Sequence, residues 1–277
     1  MRSKYLVKEL LREGTQTLLK HNVPRASREA QLLLMFFLHV DELWLILNQN
    51  SEIEISEDFF ECIARRSAHE PLEYITNKVS FYSEEFYIDA GALIPRPETE
   101  LLIDEIEKQL VDKESAFTFV EVGIGSGIIS IMLAKKFKNA KIIAVDISQN
   151  ALDVAQKNID KFGLSKQIEL RQGSLLEPIN EKIDYLVSNP PYIANGEALE
   201  LNLAYEPQNA LFGGDVGDEI IKELLDEALK QNIKLFSCEM GYDQKDKIHS
   251  YLKDKHYKSL EFYKDYSKFD RGFTLKV

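Results

Sequence analysis

From Pro97 onward, short apolar runs alternate with helical stretches, and this order constrains the fold more than any other feature of the 277-residue chain. The runs are Phe117–Val122, Lys141–Val145, Ile168–Leu170, Ile183–Ser188 and Ile233–Cys238. Short, mostly apolar runs of this length fit strands buried on both faces of a parallel sheet. Tyr257–Tyr263 and Gly272–Val277 read as two further strands, seven in all. The order predicts a doubly wound α/β sheet, which binds its ligands beyond the carboxyl ends of the strands.

The first part of the chain has a different period. Between Tyr5 and Ala68 apolar residues recur at three and four positions, as in Leu6, Leu10, Leu11 and Leu32, Leu33, Leu34, Phe37. This spacing predicts a small all-helical domain, with one helix starting near Pro24 and Ser27. From Val79 to Ile94, Phe81 and Phe86–Ile88 flank Ser83-Glu84-Glu85, the pattern of a β-hairpin. The expected organisation is a helical domain over residues 1–76, a hairpin linker over 77–94 and the α/β domain over 95–277.

Charge and rare residues narrow the function. A net charge of -12 disfavours stable nucleic-acid binding, which relies on clustered Lys and Arg. Cys62 and Cys238 have no CxxC spacing and the five histidines are scattered, so neither a disulfide framework nor a metal site is expected. No apolar run approaches the ~20 residues that span a bilayer, and the charged start MRSKYLVKELLREGTQ does not read as a signal peptide. A cytoplasmic monomer without membrane attachment is the expectation.

The first chemical signal is Glu121-Val122-Gly123-Ile124-Gly125-Ser126-Gly127, between an apolar strand and the helical run Ile128–Lys136. Its glycines allow a sharp turn and close approach of a ligand to the backbone. A dinucleotide fingerprint would place glycine at Ile128, and no Gly-Lys-Ser/Thr makes a phosphate loop. S-adenosylmethionine fits what remains, with Glu121 attracting its ammonium. Asp146 ends the next strand about twenty residues on, where a carboxylate can accept from both ribose hydroxyls. Each part has a plainer reading: a turn that only packs strand on helix, and an Asp146 that caps the helix starting near Ser148.

The second signal is Asn189-Pro190-Pro191-Tyr192, directly after the strand ending at Ser188. A planar amide or exocyclic amine is a poor nucleophile, because its lone pair is delocalised. The Asn189 side-chain carbonyl and the Pro190 backbone carbonyl can each accept one N–H, holding the nitrogen for attack. Two prolines stiffen the loop, and Tyr192 can stack on a flat target. The plainer alternative is a proline turn leaving a strand.

These motifs, in this order, resemble class I methyltransferases. The chain is similar nearly end to end to the protein-(glutamine-N5) methyltransferases of peptide chain release factors. The likeness includes Arg65-Arg66, Pro71–Ile75, Leu93–Glu100, Val187–Ile193, Tyr205-Glu206-Pro207, Ala210–Gly214 and Glu239–Gln244. The resemblance implies that Gly123–Gly127 and Asp146 hold S-adenosylmethionine, that Arg96 and Thr99 lie close to it, and that Asn189–Tyr192 hold the substrate glutamine of a Gly-Gly-Gln loop in class-one release factors. It also implies that the helical domain recognises the partner. Ser174 and Leu175 stand where the family often has an acid and an aromatic; Ser174 can still bond adenine and Leu175 cover its face. Asn77 replaces a common glycine and tolerates a left-handed conformation. Alternatives are a glutamine methyltransferase of a ribosomal protein, an adenine or guanine methyltransferase with the same Asn-Pro-Pro-Tyr motif, and a non-catalytic cofactor-binding regulator.

Overall fold

The computed structural model describes residues 3–277. Contacts divide the chain into two units: one runs to Lys78 and takes in Glu200–Tyr205, the other holds Val79–Leu199 and Glu206–Val277. In the first, the three-and-four spacing folds as helices Val7–Lys20, Ala26–Leu38, Glu42–Leu47, Glu57–Ser67 and Leu72–Thr76. Their apolar faces meet in a core around Leu10, Leu18, Leu33, Leu34 and Phe59, all fully buried. Arg66 crosses this packing to pair with Glu29 at 2.7 Å, each neutralising a charge that burial would otherwise penalise. Tyr205 donates its hydroxyl to the Ala68 carbonyl at 2.6 Å.

One local reading holds here and two need correction. The helix expected near Pro24 and Ser27 begins at Ala26, after Arg25 in a left-handed conformation, and no side chain caps it. The unit is helical but not wholly so, because Ser3–Leu6 pairs antiparallel with Glu52–Ile55. The period-two run Glu52-Ile53-Glu54-Ile55 is only four residues long, and its partner is distant in sequence, so the ribbon leaves little local trace. The hairpin strands are Lys78–Phe81 and Glu84–Tyr87, which moves the turn to Tyr82-Ser83, both at positive φ, and puts Glu84 and Glu85 in a strand. Asn77 does adopt the left-handed conformation, at φ 54°.

The larger unit carries one seven-stranded sheet of β1 (Thr118–Val122), β2 (Lys141–Asp146), β3 (Ile168–Gln172), β4 (Tyr185–Ser188), β5 (Leu235–Glu239), β6 (Ser259–Lys264) and β7 (Asp270–Lys276). Its order is β6-β7-β5-β4-β1-β2-β3. The first five strands pair in parallel, and β7 runs antiparallel to both β5 and β6. Helices α1 (Thr99–Gln109), α2 (Ile128–Lys136), α3 (Gln149–Phe162), α4 (Glu219–Lys230) and α5 (Lys245–Leu252) complete the alternation. Helix α2 is apolar around its whole circumference and buried from Ile128 to Ala134, as a central helix against the sheet must be.

Register sets where chemistry can occur. Val122 pairs with Val145 on one side and Ser188 on the other, and Ser188 pairs with Cys238. The residues at or just past these strand ends, Gly123, Asp146, Asn189 and Glu239, therefore share one edge of the sheet. The chain direction across the sheet reverses between β1 and β4, which is where open α/β sheets leave a crevice. A short parallel pair, Ile193–Ala194 with Phe212–Gly214, closes the chain over that edge and was not evident in the sequence.

Candidate active site

A cavity of about 230 Å³ lies at this edge, within the larger unit. The glycine turn forms its floor. Ile124 and Gly123 donate their backbone N–H groups to the Val145 carbonyl, which fastens the turn to β2. Gly127, at φ 85°, opens α2, and a Cβ there would stand 3.4 Å from Cα and Cβ of Ala155. Asn158 of α3, fully buried, braces the turn by donating Nδ2 to the Ser126 carbonyl at 2.8 Å. The same side chain exchanges hydrogen bonds with the backbone of Tyr87 in the hairpin.

Two acids meet the floor. Glu121 is fully buried; its Oε2 accepts from the Ser130 N–H at 2.9 Å and from the Ser130 hydroxyl, while Oε1 has no partner. Burial pushes its carboxyl up to about 8, against the two Ser130 donors, and Asp146 adds to the rise. Asp146 accepts from Gly125 N–H at 3.1 Å and Ser148 N–H at 2.9 Å. Burial raises its pKa, and those backbone donors oppose the shift. Asp146 does not cap α3: one oxygen accepts from Ser148 N–H just before the helix and turns the chain toward it, and the other holds the glycine turn. Ser148 itself caps α3 through Ala151 N–H.

The Asn-Pro-Pro-Tyr loop forms the opposite wall. Ser188 donates its hydroxyl to the Val122 carbonyl at 2.7 Å, tying the start of the loop to β1. Asn189 donates Nδ2 to Thr99 Oγ1 at 3.2 Å, and Thr99 donates its hydroxyl to Glu239 Oε2 at 2.8 Å. Tyr192 directs its hydroxyl to Glu239 Oε1 at 3.5 Å. Gln244 holds the far end, donating to the carbonyls of Tyr192 at 3.1 Å and Gly217 at 2.9 Å. Burial pushes the Glu239 carboxyl up to about 7 and the Tyr192 hydroxyl up to about 12.

The structure gathers most of the expected residues around one space. Arg96, Thr99, Glu121, Gly123, Ile124, Gly125, Ser126, Asp146, Ser174, Leu175, Asn189, Pro190 and Pro191 all line the cavity. Gly127 lies behind it as the start of α2, and Tyr192 turns toward Glu239 outside it. Leu175 sits at φ 49°, a conformation costly for a side chain with a Cβ. Arg96 is held at the rim by Glu206, which accepts from it at 2.5 Å and from Ile94 N–H at 2.9 Å.

Four supporting residues were missed as such by the sequence reading: Asn158, Glu206, Glu239 and Gln244. Glu239 did carry a signal, since an acid ends a buried apolar strand there as Asp146 does at β2. Glu206 and Gln244 stand in segments that carry the family likeness, though nothing local names their partners, and Asn158 gives no signal, because its partners lie far off in the chain.

The residues present fit S-adenosylmethionine. The orphaned Oε1 of Glu121 offers an acceptor to an ammonium, Asp146 offers one to hydroxyls, and the cavity between them joins the Asn189 wall. Among the described residues no group of His, Cys, Asp and Glu is placed to hold a metal ion, and no helix is long and apolar enough to cross a membrane.

Comparison with known proteins agrees. Residues 9–76 match the PrmC N-terminal domain family, and residues 95–208 match the methyltransferase small domain family. The chain is 38% identical over 258 residues to a release factor glutamine methyltransferase of Koribacter versatilis, covering 88% of this chain and 91% of that one. It is 32% identical over 276 residues to the protein of the same name in Clostridium acetobutylicum, covering 96% of each. In fold it is similar to the N-terminal domain of human METTL16 solved in complex with SAH, with TM-score 0.52, 18% identity and coverage of 69% of this chain and 75% of that one. The cofactor is S-adenosylmethionine, and the chain belongs to the release factor glutamine methyltransferase family.

Proposed function

We propose that this protein methylates the side-chain amide nitrogen, N5, of the glutamine in the Gly-Gly-Gln loop of class-one peptide chain release factors. The observation that carries this reading is the placement of Asn189 and Pro190 on the wall of the cavity whose floor is the glycine turn. S-adenosylmethionine supplies a methyl group made electrophilic by its sulfonium. The Asn189 Oδ1 and the Pro190 carbonyl accept the two N–H groups of the glutamine amide and orient its nitrogen toward that methyl. Tyr192 shields the amide from water. The N–C bond forms as the methyl C–S bond breaks, with S-adenosylhomocysteine as the leaving group; the methylated nitrogen is positively charged and acidic, so its proton leaves to solvent as the product departs, without a tuned general base.

Glu121 and Asp146 hold the ends of the cofactor, with Arg96, Thr99, Ser174 and Leu175 around it. The helical region 1–76 acts as the recognition module, residues 77–94 as the linker and 95–277 as the catalytic domain. Leu43, Ile46 and Leu47 on the helix Glu42–Leu47 support the recognition role, being 61%, 59% and 74% exposed. The net charge of -12 supports a protein substrate over nucleic acid. Ribosome-associated substrates place the enzyme in the cytoplasm, where it works as a monomer.

The test is to incubate the purified protein with methyl-labelled cofactor and, separately, a release factor, ribosomal proteins, DNA and RNA. Label is expected on the release factor and is lost when the loop glutamine is replaced. Label on nucleic acid alone, or on a release factor lacking that glutamine, overturns the reading.

Glu121 gives cofactor binding a pH dependence. Its carboxyl titrates at about 8 in the free protein, above the ordinary 4.5, so at lower pH it must lose a proton to meet an ammonium. Affinity for S-adenosylhomocysteine should therefore rise with pH, by up to about tenfold per unit, and level off near pH 8. Calorimetric titration of Glu121→Gln should give weaker binding with no such rise; a rise that persists in the variant assigns the titration to another group.

A further inference from the structure

We propose that Glu239, acting through Thr99, is a positioning residue that fixes the hydrogen-bond polarity of Asn189, so that the Asn189 carbonyl and not its NH2 faces the substrate. The inference rests on the amide-methylation reading above, since it explains how the site selects an NH2 group.

The argument follows from counting protons. An ionised carboxylate can only accept hydrogen bonds. Thr99 lies 2.8 Å from Glu239 Oε2, so its single hydroxyl proton is committed there. Its oxygen can then only accept, and the Asn189 atom 3.2 Å away must be the donor, Nδ2. This assignment needs no observed hydrogen positions. It leaves Oδ1 as the acceptor for the bound amide, together with the Pro190 carbonyl. Two acceptors bind –NH2 and repel a carboxylate, which separates glutamine from glutamate.

Protonation of Glu239 undoes the constraint. A neutral carboxyl can donate to Thr99, and Thr99 can then donate to Asn189 Oδ1, which turns the Asn189 NH2 toward the substrate NH2. Donor then meets donor. The groups bearing on Glu239 are Thr99 and Glu98 from the start of α1, Tyr192 of the catalytic loop, Arg271 of β7, Tyr263 of β6 and the neighbouring Cys238. Arg271 favours the carboxylate and Glu98 opposes it, while burial dominates. The side chain is 1% exposed, so solvent does not supply competing partners.

The experiment compares the full-length wild type with Glu239→Gln, Thr99→Val and Thr99→Ser on a release factor and on the same factor with its loop glutamine changed to glutamate, used as a competitive inhibitor. Glu239→Gln keeps the shape but adds an NH2 that can donate to Thr99; Thr99→Val removes the hydroxyl. Both should lower kcat/KM by about 10- to 100-fold, and both should bind the glutamate factor relatively tighter by about tenfold. Thr99→Ser keeps the hydroxyl and should restore kcat/KM to within about threefold. With S-adenosylmethionine saturating at every pH, so that Glu121 does not contribute, kcat/KM of the wild type for the release factor should fall as pH drops below about 7, and Glu239→Gln should lose that acid limb. S-adenosylhomocysteine affinity of Glu239→Gln should stay within about threefold, separating this effect from unfolding.

Unchanged glutamine-to-glutamate selectivity in both Glu239→Gln and Thr99→Val overturns the inference, whether or not activity falls. Persistence of the acid limb in Glu239→Gln overturns the role of the carboxylate. If the wild type methylates no release factor, the substrate reading itself fails and this inference falls with it.

Discussion

Replacement of Asn189 by alanine is expected to lower kcat for release-factor methylation by about 10²- to 10³-fold, with a matching fall in kcat/KM. The amide nitrogen of glutamine must give up conjugation with its carbonyl to attack a methyl group. In the proposed scheme the protein assists by holding both N–H groups in fixed directions as the nitrogen changes shape. Asn189 supplies one of only two acceptors in this scheme, and its own NH2 is already spent on Thr99. Alanine removes the acceptor and leaves Thr99 without its donor. Because the lost contact strengthens as the nitrogen becomes acidic, the loss falls on kcat. Single-turnover and steady-state kinetics with labelled cofactor measure it; a rise in KM with kcat intact would show Asn189 to be a mere docking contact.

An effect of similar size is expected at Gly213, from geometry alone. An added Cβ there would fall 2.2 Å from the Pro191 carbonyl oxygen and 2.8 Å from the Gly217 carbonyl oxygen. Both neighbours are backbone, so no side chain can swing away, and the chain itself must move by about an ångström. Overpacking of this kind costs about 3 kcal/mol, which in a protein of this size lowers Tm by roughly 6–12 °C. The displaced segment is the Asn-Pro-Pro-Tyr loop, to which the proposed function gives the substrate amide, so activity in the fraction that folds should drop by about 10²-fold. Gly163→Ala is the control: Gly163 is left-handed, at φ 69°, as Gly213 is not, with nothing within 4 Å of its added Cβ. It should cost only about 1–2 kcal/mol and leave kcat unchanged. Thermal melts and kcat for the two variants, side by side, separate backbone collision from left-handed strain.

What the sequence made legible here is what the chain writes locally. The glycine turn, Asp146 and the Asn-Pro-Pro-Tyr loop each follow directly on an apolar run, and parallel pairing brings those run ends together without further information. Strand limits moved by a residue or two, as at β4, which begins at Tyr185 and not at Ile183. The supporting shell was hidden for a physical reason. Glu206 reaches Ile94 across 112 residues, Thr99 reaches Glu239 across 140, and Asn158 reaches Tyr87 across 71. Such pairings exist only once the sheet has closed, and no local period announces them. Tyr192 shows the same limit in another form: its place in the motif was plain, but the burial that draws its hydroxyl to Glu239 was not.

The brace at Asn158 restricts its own replacement. It needs two donors, for Ser126 and Tyr87 carbonyls, and one acceptor, for the Tyr87 N–H, all within the reach of a single short side chain. Among the twenty residues only a carboxamide combines these, and glutamine is one methylene too long for a space with no exposure. Aspartate would set a carboxylate against two carbonyl oxygens, and leucine would strand three polar groups at once. Position 158 is thus a one-letter position, fixed by the arithmetic of lone pairs and protons although it touches neither the reacting nitrogen nor the methyl donor.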